Sequence, residues 1–111
     1  MGSFDGSKRL LRVAPGTAYT AGNDIGGADG AFDLSEDGTV RVTCAFADAG
    51  DFYFRVGSQN LTMNAAETDP DLAAAGFYSF EMGVNADDAF SFRFENSTTI
   101  RYFFVQFYKQ R

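Results

Sequence analysis

The chain has no histidine, no tryptophan and a single cysteine, Cys44. The first absence removes imidazole, the usual general base near neutral pH and the commonest metal ligand. One thiol cannot close a disulfide within the chain, and a zinc site would have to be assembled from that thiol and carboxylates. No apolar stretch approaches the roughly 20 residues of a membrane span, and no signal-peptide pattern opens the chain. These absences leave no recognisable catalytic set, and the sequence argues for a fold and an assembly role rather than an activity. No catalytic residue, cofactor or metal is expected.

What is present is a chain of 111 residues, sized for one domain, with nine basic and fifteen acidic residues and a net charge of −6. The charge is uneven. Residues 1–16 carry Lys8, Arg9 and Arg12 against Asp5, and residues 98–111 carry Arg101, Lys109 and Arg111 with no acid. The intervening stretch holds fourteen acids and only three arginines. An acidic middle repels phosphate, which argues against general nucleic-acid binding even though Arg101-Tyr102-Phe103-Phe104 interleaves cations with rings that stack bases. The arrangement fits either a soluble acidic surface with basic ends or a protein whose two ends face an acidic partner.

Period-two alternation dominates from Gly38 onward. Val40, Val42, Cys44 and Phe46 share a face, as do Phe52, Phe54 and Val56; Tyr78, Phe80, Met82 and Val84; and Phe90, Phe92 and Phe94. Each set predicts a half-buried strand. Gln59–Asn64, Ala31–Leu34 and Lys8–Val13 add weaker ones. Short polar connections such as Asp48-Ala49-Gly50-Asp51 and Asn85-Ala86-Asp87-Asp88 sit where hairpin turns belong. Only residues 69–75, bounded by Pro70 and Gly76, read as a short helical turn. The expected fold is therefore all-β: an antiparallel β-sandwich or jelly-roll-like domain of seven or eight short strands. Residues 1–16 are expected to form an N-terminal arm and residues 17–111 the single domain, with the Gly-rich stretch 21–30 as a mobile or tightly turning loop.

Thr98–Tyr108 breaks the alternation. Read with strict period two, Ile100, Tyr102 and Phe104 take one face and Phe103, Val105 and Phe107 the other. A strand apolar on both faces needs cover on both. The cover is either the chain's own arm or its 14–31 loop, or else another subunit, identical or different. Fourteen of the eighteen aromatic residues fall between Phe52 and Tyr108, which favours the second option. The expected contact residues are Lys8, Arg9, Leu11 and Arg12 of the arm with Arg101, Phe103, Phe107 and Lys109 of the last strand, since arginine and aromatic side chains are enriched at binding hot spots.

Other candidate chemistry is weaker. The carboxylate pairs Glu36/Asp37, Asp69/Asp71 and Asp87/Asp88 sit at turns, where Asp has ordinary conformational reasons to be. Asn23, Asp24 and Asp29 could offer oxygens to a cation, but their spacing does not match a known calcium loop. Cys44 reads as a small buried apolar residue. Tyr53, Phe77 and Tyr78 would serve a carbohydrate-binding or adhesion module, the alternative to an assembly protein.

The closing stretch Phe77-Tyr78-Ser79-Phe80-Glu81-Met82-Gly83-Val84, then Phe90-Ser91-Phe92-Arg93-Phe94, then Ile100-Arg101-Tyr102-Phe103-Phe104-Val105, resembles the C-terminal hairpins of the small β-sandwich proteins that decorate or cement the heads of tailed viruses. The resemblance covers the C-terminal third and carries no diagnostic motif. It implies a non-enzymatic protein of the virion surface, made in the host cytoplasm without a signal peptide. It further implies self-association, with a trimer favoured, and attachment to a major capsid protein; the acidic middle and the short apolar stretches argue against nucleic acid and membrane as partners.

Overall fold

A computed structural model describes residues 7–34, 36–57, 59–63, 72–86 and 89–109. Among them the chain forms nine strands: β1 (Ser7–Val13), β2 (Thr17–Tyr19), β3 (Phe32–Asp33), β4 (Gly38–Phe46), β5 (Phe52–Val56), β6 (Gln59–Met63), β7 (Tyr78–Val84), β8 (Ala89–Phe94) and β9 (Thr98–Lys109). They build two antiparallel sheets. Sheet A has the order β1-β9-β4-β7, with β2 also pairing β9, and sheet B the order β3-β8-β5-β6. The fold is an antiparallel β-sandwich, as the alternation predicts, with β2 as the strand that periodicity does not reveal.

The core lies between the sheets and is built mainly from phenylalanine. Phe46 and Phe103 of sheet A meet Phe52, Phe92 and Phe94 of sheet B, all five fully buried. Phe46 stacks on Phe94 at 4.1 Å, Phe52 stacks on Phe92 at 5.6 Å, and Phe103 sets its edge against Phe52 and Phe92. Offset and edge-to-face contacts of this kind are the favourable geometries for aromatic rings. Much of the apparent surplus of aromatic residues is therefore used inside one domain.

Two irregularities decide which side chains reach the surface. Ala45 of β4 pairs with Tyr102 of β9, but Phe46 pairs with Ile100, so Arg101 is an extra residue in β9. A bulge of this kind shifts the phase of a strand. Ile100 faces the core on one side of it and Phe103, Val105 and Phe107 face the core on the other. Likewise Arg9 pairs with Gln106 and Leu11 with Val105, leaving Leu10 as an extra residue in β1.

Residues 7–13 of the expected arm lie in the plane of sheet A as its edge strand, beside β9 rather than across it. The Gly-rich stretch is a tightly turning plug. The Ile25 amide donates to the Phe92 carbonyl at 2.8 Å, and the Ile25 side chain is fully buried. A single 3-10 turn follows at Gly27–Gly30, with Gly26 and Gly27 at φ 93° and 63°. This is where the helical turn falls. In the segment expected to hold it, residues 69–71 lie outside the described residues. Leu72 forms an isolated bridge with Gly50, and Ala73–Gly76 closes a turn.

Candidate interaction surface

Antiparallel partners directly opposite one another share a face of the sheet. The pairings of sheet A therefore define cross-strand rows on its outer, solvent side. One row runs Arg9–Gln106–Arg41–Glu81 and the next Arg12–Phe104–Thr43–Ser79. Thr39 lies beside Tyr108, and Tyr102 beside Ala45. Tyr102, Phe104, Gln106 and Tyr108 are half-buried, and the exposed ring of Phe77 packs on Tyr102 at 5.4 Å. Phe77, at 67% exposure, is the most exposed large apolar side chain described.

The result is an aromatic strip along β9 bordered by cations. Arg41 Nε sits 3.1 Å from Glu81 Oε2, and Lys109 Nζ lies 3.6 Å from Glu36 Oε2. Arg9, Arg12 and Arg101 are exposed and make no ion pair among the described residues. Thr39, Arg41, Glu81 and Tyr108 outline a shallow depression of about 410 Å³ on the same face.

This arrangement divides the expected contact residues. Arg9, Arg12 and Arg101 are exposed and border the strip, whereas Lys109 is exposed but has the parity of Phe107, lies opposite Gly38 and pairs with Glu36. Leu11 turns to the core side, where it is half-buried. The Lys8 backbone pairs opposite Phe107, and its side chain lies outside the described residues. Phe103 and Phe107, at 1% and 5% exposure, are core residues and not surface contacts. Their immediate neighbours Tyr102, Phe104 and Tyr108 hold the outer positions instead. Gln106 carried a signal for this, because it is the polar residue between Val105 and Phe107 and shares the parity of Tyr102, Phe104 and Tyr108, while Arg101 and Lys109, of the other parity, obscured it.

A second feature is a cleft of about 680 Å³ between the β1–β2 edge and the 20–30 loop, lined among others by Arg12, Tyr19, Asn23, Asp24, Asp29 and Arg93. Its polar groups are largely engaged with one another. Asp24 Oδ1 accepts from Arg93 Nε at 2.9 Å and from Ser91 Oγ at 3.0 Å. The Tyr19 hydroxyl donates to the Asn23 carbonyl at 2.6 Å and accepts from the Phe94 amide at 3.2 Å. Burial raises the Tyr19 hydroxyl above its ordinary pKa, with the Phe94 hydrogen bond working in the opposite direction. Asn23 Nδ2 donates to the Thr20 carbonyl. Asn23 and Asp24 thus hold the loop together. Among the described residues, no group of three or more His, Cys, Asp or Glu side chains converges.

The remaining candidates are scattered. Tyr53 stands opposite Arg93 and Thr62 in sheet B, while Phe77 and Tyr78 belong to the β7 end of sheet A, so the three do not form one platform. Tyr78 is further committed, its hydroxyl accepting from the Ala73 amide at 2.9 Å. Glu36 and Asp37 are exposed, and Asp37 Oδ1 accepts from the Ala86 amide at 2.7 Å, while Asp69, Asp71, Asp87 and Asp88 lie outside the described residues. Cys44 is fully buried, and burial pushes its thiol up to about 12. No helix among the described residues is long and apolar enough to cross a membrane.

No family model, no curated protein and no solved structure matches this chain.

Proposed function

We propose that this chain is a non-enzymatic assembly protein of a virion surface, a capsid decoration or cement protein that associates with copies of itself and docks on a larger protein lattice. The observation that carries the reading is the outer face of sheet A. Tyr102, Phe104 and Tyr108 stand half out of the sheet with Phe77 against Tyr102, and Arg9, Arg12 and Arg101 lie around them without acidic partners among the described residues. Rings flanked by arginines release apolar area and supply directed hydrogen bonds when a partner covers them. The cationic border favours a partner surface bearing Asp and Glu, and the resemblance to head decoration proteins names the kind of lattice.

The same aromatic strip would also suit stacking on sugar rings, the adhesion reading. Phe77 and Tyr102 are then the residues whose loss matters. Native mass measurement separates the two at low cost. An assembly protein gives species heavier than one chain at micromolar concentration and a further complex with a major capsid protein. A chain that stays monomeric with that protein present, yet binds a glycan array and loses binding on Tyr102→Ala, contradicts the proposal.

A further inference from the structure

The two edges of sheet A differ in kind. One is β1, with exposed Arg9 and Arg12; the other is β7, whose charged residue is Glu81. Neither strand contains proline; β7 is regular with Glu81 as its one charge, while β1 carries Lys8, Arg9, Arg12 and the bulge at Leu10, so charge of opposite sign guards the two edges. Among the described residues no backbone hydrogen bond from β1 or β7 runs outward from the sheet. A groove of about 630 Å³ follows the β1 edge, lined by Arg9, Leu10, Leu11 and Arg12 on one side and by Asp29, Ala31 and Phe32 among others on the opposite side.

We propose that β7 of one copy adds to the β1 edge of a second copy, head to tail, continuing sheet A from subunit to subunit. The inference rests on the assembly reading above and specifies its self-contact. Three observations select this pairing. Strand directions alternate across β1-β9-β4-β7, so copies in the same orientation bring β7 and the next β1 together antiparallel, like every other pair in the sheet. Extending the existing rows by one strand sets Glu81 against Arg9 of the next copy and Ser79 against Arg12. On the core side the same register sets half-buried Phe80 against half-buried Leu11 and half-buried Tyr78 against Val13. Charge then excludes the like-with-like alternatives. Pairing β1 with β1 apposes Arg9 and Arg12 with their own kind, and centring β7 on β7 apposes Glu81 with Glu81, and like charges directly opposite destabilise a sheet. A head-to-tail contact between opposite edges is heterologous, so it builds a ring where the rotation between copies closes and an open filament where it does not.

Cysteine trapping tests the register. Arg12 and Ser79 of one chain are three strand spacings apart, about 14 Å, too far for a disulfide within the chain. The Arg12→Cys/Ser79→Cys double variant, with Cys44 retained in the core, should give covalent multimers under mild oxidation, while each single variant gives none. A separate Arg9→Glu variant should keep its far-ultraviolet dichroism while its self-dissociation constant rises at least about tenfold. Covalent dimers from either single variant show a like-with-like edge and overturn the proposal. A wild type that is oligomeric by native mass, with the double variant untrapped, overturns this contact and leaves the assembly reading standing. A wild type that is monomeric alone and with the capsid protein overturns both.

Discussion

Arg93 Nε lies 2.9 Å from Asp24 Oδ1, joining the C-terminal end of β8 to the loop that carries Ile25 into the core. The two side chains are 29% and 28% exposed, so water screens the pair only in part. The same carboxylate oxygen accepts from Ser91, and removal of the guanidinium leaves Asp24 with a single side-chain donor. Arg93→Met should therefore lower unfolding free energy by about 1–2 kcal/mol in urea titration. Arg55→Met on the neighbouring strand, where the side chain meets only Asn60 among the hydrogen bonds described, should change it by less than half as much.

Phe103 and Phe104 are adjacent in sequence and opposite in role. Phe103 touches Phe46, Phe52 and Phe92, so Phe103→Ala opens a cavity and should cost about 3–5 kcal/mol, read as a lower denaturation midpoint. Phe104→Ser removes a half-exposed ring from the outer face and should cost about 1 kcal/mol or less. Equal losses would contradict the bulge at Arg101.

Gly30 closes the 3-10 turn, and a Cβ placed on it would lie 1.9 Å from the Ile25 carbonyl oxygen. Backbone cannot step aside as a flexible side chain can. Gly30→Ala should destabilise by about 2–4 kcal/mol through displacement of the Ile25 plug. At Gly83 the added carbon meets nothing within 4 Å, and Gly83→Ala should be neutral or stabilising by up to about 1 kcal/mol. Thermal melts of the two variants check the contrast.

Burial raises the Cys44 thiol from 9.0 to about 12. Above pH 9 the unfolded chain releases this proton while the folded chain keeps it, so the unfolded state binds fewer protons and stability falls as pH rises. The contribution is complete below pH 9 and is lost between about 9 and 12. Within that window the slope from this group approaches about 1.4 kcal/mol per pH unit. Stability against pH should accordingly fall less steeply in Cys44→Ala than in the native chain, and native Cys44 should resist thiol reagents at pH 8 until denaturant is added.

The strands were legible in the sequence wherever a residue's face depends only on its neighbours. Val40 to Phe46, Phe52 to Val56 and Phe90 to Phe94 lie where alternation puts them. Three features escaped because they depend on a partner strand. β2 is three residues held by pairing with Thr98, Thr99 and Ile100. The extra residues Leu10 and Arg101 are set by register against β9 and β4, and nothing at either position marks a bulge. Strict alternation across Arg101 therefore placed Ile100 on the face of Tyr102 and made Phe103 and Phe107 candidates for the surface. The cationic half of that surface was legible in Arg9, Arg12 and Arg101, which are exposed, while Lys109 takes the parity of Phe107. The aromatic half lay one residue away on the same strand.

Docking on a lattice through the outer face of sheet A is tested most directly by co-sedimentation with shells assembled from a major capsid protein, comparing matched changes on the two outer faces. The native chain should pellet with the shells. The Phe104→Ser/Arg12→Glu pair in sheet A should reduce the bound fraction at least tenfold at equal concentration, consistent with loss of about 1.4 kcal/mol or more. The Tyr53→Ser/Arg55→Glu pair in sheet B should leave it unchanged. Failure of the native chain to pellet, or a loss confined to the sheet B variant, would contradict the account.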